Sequence, residues 1–159
     1  MTYSIIPEPL KMKTGDIPVF TLTKLCNIES DADCHKALSS LKKFLSDAFS
    51  LEVFGGGKEA VVLRIDSTMD GTEAYTLEVK ENLVEIIGSD EAGVFYGVQS
   101  LRQLLFQGDL VLPEVTIEDK PRFSYRGFML DCGRYFFTKE AVFVFLEMMA
   151  LHKLNHFHW

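Results

Sequence analysis

The chain has few cysteines, one tryptophan, no excess of positive charge and no long apolar run. Its three cysteines, Cys26, Cys34 and Cys132, form no C-x-x-C pair. An odd count leaves at least one thiol unpaired, which excludes a dense disulfide framework, although a single Cys26–Cys34 bridge fits the spacing. Lys and Arg number 16 against 23 Asp and Glu, for a net charge of -7. That balance argues against the clustered basic surface that nucleic acid or an anionic membrane requires. No stretch has the length and apolarity of a membrane span. No secretory leader opens the chain either, because Pro7 and Pro9 break "MTYSIIPEPLKMKTGD". The location is expected to be periplasmic or secreted if a signal has been removed, and cytoplasmic otherwise.

What remains is a globular mixture: 159 residues, 47% hydrophobic and 25% charged. This suits one ordinary domain, or a small domain plus part of another. "SIIPEP" and "IPVFTL" read as short extended pieces punctuated by proline. "DADCHKALSSLKKFLSDAF" places Ala37, Leu38, Leu41, Leu45 and Ala48 on one helical face, with Asp31 or Asp33 as N-cap. "AVVLRID" reads as a buried strand. In "EAYTLEVKENLVEIIG", Tyr75, Leu77 and Val79 alternate with polar residues and Leu83 and Val84 begin a return strand, which predicts a hairpin. A helix follows, capped by Ser89 or Asp90, striped by Val94, Val98, Leu101 and Leu105, and terminated by Gly108. Residues 1–119 are thus expected to form an α+β domain, an antiparallel sheet with two helices packed on one face.

The pattern changes at "EDKPRF", a linker. "YRGFMLDCG" reads as a strand buried on both faces. Thr138 caps the apolar helix "KEAVFVFLEMMALHK", and "LNHFHW" starts another extended run. Strand, helix and strand in this space form a βαβ unit with parallel strands. One such unit cannot bury both faces of its strands. Alone, this tail is expected to be disordered, to self-associate, or to pack against the preceding domain through non-native contacts. Tyr75, Phe95, Tyr96, Phe128, Phe136 and Phe137 are expected in the core.

Several constellations invite a chemical reading. His152 and His156 are four apart, as in H-E-x-x-H, but Lys153 stands where that motif needs its general base. His156 and His158 share a strand face, so a two-histidine metal site is geometrically open; histidines satisfied by hydrogen bonds are the plainer alternative. Stoichiometric zinc binding would mark a small metalloprotein. "GGGKEA" lacks the G-x-x-x-x-G-K-[ST] spacing of a phosphate loop. Arg126 opens the predicted strand and Asp131 closes it. In a parallel sheet the carboxyl end faces the ligand, yet an Arg–carboxylate anchor accounts for the same residues. Arg134 adds a second cation to that loop.

"YRGFMLDCGRYFFTKEAVFVFLEMMALHKLNHFHW" resembles the opening of the catalytic barrel of family 20 glycoside hydrolases, the β-N-acetylhexosaminidases. There a first strand like R-G-x-M-L-D precedes an S-R-H-F loop, and a second strand ends in N-x-x-H-W-H-L-x-D-D-Q. "DEAGVFYGVQSLRQLL" resembles a helix of the family's small N-terminal domain. The resemblance implies an accessory domain over residues 1–119. Residues 120–159 would then be the truncated beginning of a (β/α)8 barrel, which needs roughly 250 residues. It further implies that Arg126 hydrogen-bonds sugar hydroxyls, with Asp131 and Arg134 as supports of the loop and His158 close to the site. Tyr135 departs from the family's usual histidine. The family's chemistry is a substrate-assisted retaining hydrolysis, outside the two-carboxylate scheme, in which the 2-acetamido carbonyl attacks its own anomeric carbon. The Asp-Glu pair that orients the acetamido group and protonates the leaving oxygen is expected beyond residue 159. The chain alone is therefore expected to hold no catalytic residue, metal or cofactor and to be inactive. The substrates implied for the whole enzyme are glycans ending in N-acetylglucosamine or N-acetylgalactosamine. The alternative is a stand-alone structural or carbohydrate-binding α+β module.

Overall fold

The computed structural model describes residues 3–159, which divide into two compact units, one ending at Lys120 and the other spanning Pro121–Trp159. In the first, strands β1 (Lys11–Thr21), β2 (Asn27–Ser30), β3 (Ala60–Ile65), β4 (Tyr75–Lys80), β5 (Leu83–Gly88) and β6 (Val111–Asp119) form one sheet in the order β1-β6-β4-β5-β3-β2. Helices α1 (His35–Phe49) and α2 (Glu91–Gly108) accompany it. Helix α2 meets β3 through β6, and α1 packs on α2 and β2. Ala37, Leu41 and Leu45 of α1 join Val94, Val98, Leu101 and Leu105 of α2 and the inward residues of β3 to β6 in one core.

The α+β architecture matches the sequence reading, but the sheet is mixed, not wholly antiparallel. β2 pairs with β3, and β3 with β5, in parallel. The cause is the connection through α1: a helical crossover carries the chain back to the start of the sheet, so β3 runs in the direction of β2. The predicted hairpin then forms with Tyr75 opposite Gly88 and Lys80 opposite Leu83, and it is β5 that lies against β3.

Strand β6 carries no clear sequence signal because Pro113 interrupts it. Pro113 faces Pro18 where the β1–β6 register shifts, since neither can donate to a ladder. It also lies beyond the part of β6 that pairs with β4, Val115 to Asp119. "SIIPEP" forms no strand. Its backbone is held by two glutamines one turn apart on α2. Gln103 accepts from Ile6 N and donates to Ile6 O, both at 2.9 Å, and Gln107 does the same for Ser4 at 3.0 and 2.7 Å.

The helix ends also refine the expectations. Asp90 caps α2 by accepting from Gly93 N at 2.8 Å. Neither Asp31 nor Asp33 caps α1, whose N-cap position is Cys34. A short 3-10 turn, Ala32–Cys34, intervenes, and Asp31 Oδ2 accepts from Ile65 N at 3.0 Å instead. Gly108 is the last helical residue, and Asp109 takes the left-handed C-cap position at φ 50°. The missing Cβ of Gly108 makes room for the Tyr3 hydroxyl, which would lie 2.7 Å from it. All three cysteines are free thiols, so the Cys26–Cys34 bridge does not form.

The second unit is β7 (Gly127–Met129), α3 (Lys139–Leu151) and β8 (His156–His158). Thr138 Oγ1 caps α3 by accepting from Ala141 N at 3.2 Å. β7 and β8 are parallel, as a βαβ unit requires. Two expectations fail here. All three residues of β7 are exposed, and Phe136, expected in the core, is 89% exposed. Two strands and one helix provide a single covering layer, so within this unit the other face is left uncovered. Phe128 and Phe137 instead contact Phe145 of α3, at 5.5 and 6.0 Å between ring centres.

Candidate functional site

The polarity of β7 and β8 gives the second unit two chemically distinct ends. Their register pairs Gly127 with His156, Phe128 with Phe157 and Met129 with His158, so both carboxyl ends emerge on one side. In parallel α/β sheets that side receives ligands, because the strand–helix loops gather there.

Arg126 lies at the opposite, amino end. Its guanidinium is engaged by backbone: Nε donates to Lys153 O at 2.7 Å and Nη1 to Phe123 O at 2.8 Å. Its own carbonyl accepts from Asn155 N at 2.9 Å and His156 N at 3.3 Å. Asn155 organises this end. Its Oδ1 accepts from Arg126 N at 3.0 Å and its Nδ2 donates to Ser124 O at 2.8 Å. Arg126 is thus held at the amino end of β7 by backbone carbonyls, where the sequence reading offered a carboxylate as its anchor. Lys153, which stands where H-E-x-x-H needs its general base, is buried at a positive φ of 58° as α3 gives way to β8.

The carboxyl end gathers the other candidates. Asp131 Oδ1 accepts from Gly133 N at 2.7 Å, a tight turn that starts the loop carrying Arg134. The side chains of Asp131 and Arg134 are exposed. His158 is also exposed, and its carbonyl accepts from Leu130 N at 3.0 Å, extending the ladder by one rung. Next to it Trp159 donates its indole N–H to Cys132 Sγ at 3.1 Å. Sequence reasoning missed this contact, because nothing in the spacing of Cys132 and Trp159 signals it.

The histidines do not act as a set. His152 follows α3 with Nδ1 2.8 Å from Met148 O, whereas His156 sits on β8 with Nδ1 2.6 Å from Asn155 Oδ1. His156 also packs its ring against Tyr125, 4.7 Å between centres. His152 and His156 thus each have a hydrogen-bond partner at Nδ1. Among the described residues, no group of three or more His, Cys, Asp or Glu is arranged to hold a metal ion. Nor is any helix there long and apolar enough to cross a membrane.

Comparison with known proteins places these two units in one family. Residues 2–120 match the model of glycosyl hydrolase family 20, domain 2, and residues 123–159 match that of the glycosyl hydrolase family 20 catalytic domain. The chain belongs to glycosyl hydrolase family 20. A β-hexosaminidase of Vibrio vulnificus is 36% identical over 98% of this chain, and a β-N-acetylhexosaminidase of Cellulomonas fimi is 32% identical over 98%. The chain spans only 18% and 34% of those two relatives. Among solved structures, the exo-β-N-acetylglucosaminidase of Vibrio harveyi, in complex with N-acetylglucosamine, superposes with a TM-score of 0.86. It shares 30% identity, over 98% of this chain and 25% of its own.

Proposed function

We propose that the chain is the amino-terminal part of a β-N-acetylhexosaminidase that removes terminal N-acetylhexosamine residues by a substrate-assisted, retaining reaction. The observation that carries this reading is the parallel β7–α3–β8 unit, with exposed polar side chains at its carboxyl end, in a segment matching the family's catalytic domain. On this reading the complete barrel contributes the acid and the acetamido-orienting carboxylate from strands beyond residue 159. The present chain contributes binding.

Within that division, Arg134 is the better candidate for the sugar than Arg126. A guanidinium offers several fixed donors to neighbouring hydroxyls. The guanidinium of Arg134 is exposed on a carboxyl-end loop, whereas that of Arg126 is spent on two backbone carbonyls at the amino end. Asp131 keeps the supporting role, through the Gly133 turn.

The test is to extend the reading frame, produce the complete protein and assay aryl glycosides. Turnover of the aryl 2-acetamido-2-deoxy-β-glucoside, with none of the aryl β-glucoside lacking the acetamido group, is expected. So is competitive inhibition by a cyclic thiazoline that mimics the oxazolinium intermediate, and no turnover by the 159-residue chain. Equal turnover of both glycosides would overturn the substrate-assisted reading.

A further inference from the structure

We infer that Cys132 and Trp159 form a latch across the carboxyl ends of β7 and β8 that positions the loop bearing Arg134. This inference rests on the proposed function, and it makes Cys132 a positioning residue for substrate binding.

The loop from Leu130 to Thr138 contains no helix or strand. Its first residue is tied to β8 through the backbone, Leu130 N to His158 O at 3.0 Å. The Asp131–Gly133 turn is local and ties the loop only to itself. Cys132 supplies a side-chain link to the other strand, with its sulfur 3.1 Å from the indole nitrogen of Trp159. An indole N–H is a donor only, so the direction of the bond is fixed and sulfur is the acceptor. Cys132 is half-buried, while its neighbours from Gly133 to Phe136 are all exposed. It therefore marks the point where the loop is held down, two residues before Arg134. Trp159 in turn stacks on Phe157, 6.4 Å between ring centres, which orients the indole along β8. A shift in the Cys132 anchor would move the guanidinium two residues on and leave the downstream acid in place. The latch therefore acts on binding more than on chemistry.

The experiment uses the complete enzyme with C132A, C132S, W159F and R134A substitutions and the aryl N-acetylglucosaminide. C132A and W159F are each expected to raise KM about threefold to fivefold, the size of one weak hydrogen bond, with kcat within twofold. The C132A/W159F double variant should be no worse than either alone, since both break one contact. C132S, which keeps an acceptor, should restore the parent KM. A second readout is independent of activity. Iodoacetamide labelling followed by mass spectrometry should show Cys132 reacting faster in W159F than in the parent. Cys26 and Cys34, fully buried, serve as slow internal references. Unchanged labelling of Cys132 in W159F, or an unchanged KM in C132A, would overturn the latch. R134A separates the two ideas: if it leaves KM unchanged, the assignment of the site itself is wrong, whatever the labelling shows.

Discussion

Arg126 and Arg134 stand beyond opposite ends of β7, eight residues apart, in different surroundings. Arg126 ties Phe123 O and Lys153 O together at the amino end, whereas Arg134 lies exposed past the carboxyl end. In the complete enzyme, R126A is therefore expected to cost about 3 kcal/mol of stability, from two charge-assisted hydrogen bonds, while the folded fraction keeps its kcat/KM. R134A is expected to leave the melting temperature within a degree or two and to raise KM tenfold or more, by roughly 1.4 kcal/mol of lost binding. Melting curves and initial rates on the same preparations decide it. The reverse pattern would return Arg126 to the substrate.

Asp90 serves two backbone donors with one carboxylate. Its Oδ1 accepts from Gly93 N at 2.8 Å and caps α2, and its Oδ2 accepts from Glu73 N at 2.9 Å and fixes the entry to β4. Removing both in D90A should cost about 2 kcal/mol, roughly 1 for the cap and 1 for the second bond. D90N retains one acceptor oxygen and should lose about half as much. Urea unfolding followed by circular dichroism measures both, and a D90N loss near zero beside a clear D90A loss would show that the Glu73 contact contributes nothing.

Alkaline pH should weaken the first unit, for a reason located in its core. The Tyr75 hydroxyl lies 2.7 Å from Ser100 Oγ and donates to Asp119 Oδ2 at 3.1 Å. Burial, and then the Asp119 charge, push its ionisation well above the ordinary tyrosine range. Burial, with Glu59 nearby, also raises the Cys26 thiol from 9.0 to about 11. For both groups the folded state holds its proton after the unfolded chain has released it. Their stabilisation is thus complete below the unfolded values and is lost as pH rises. The Cys26 share declines from pH 9.0 to about 11, and the tyrosine share begins near pH 10, at up to ~1.4 kcal/mol per pH unit per group. In reductant, Y75F should flatten the decline above pH 10 and leave the decline below it. An unchanged slope above pH 10 in Y75F would contradict the assignment.

The sequence made the periodic elements legible, and the departures have physical causes. Leu41 and Leu45 on α1, Val94 to Leu105 on α2, and the alternation of Tyr75, Leu77 and Val79 are core stripes that tertiary packing reinforces, so they read correctly. Pro113 hid β6, because a proline in a strand argues against the strand unless a second neighbour is missing, which no local pattern reveals. The parallel pairing of β3 was hidden for the same reason: strand direction is set by which strands meet, not by any one strand. At the candidate site, residue type and order picked out Arg126, Asp131, Arg134 and His158. Only the direction of β7 separates the arginines. The Cys132–Trp159 contact spans a whole βαβ unit and was invisible for that reason.

The exposed face of α3 leads to the last prediction. Phe143, Val144 and Met148 are each more than half exposed, and Phe136 in the preceding loop is 89% exposed. Monomeric proteins seldom leave so much contiguous apolar surface to water. The first unit, by contrast, has a closed core built from its own sheet and helices. The 159-residue chain should therefore self-associate through its second unit as concentration rises. Sedimentation velocity should show a weight-average coefficient that climbs across the micromolar range. Pairing Val144→Glu with Met148→Lys places opposite charges one turn apart on the exposed side of α3, which maintains helicity while removing the apolar patch. This double variant should sediment as a monomer throughout. A parent chain that stays monomeric, with slow amide exchange across residues 121–159, would mean that the apolar face is already covered.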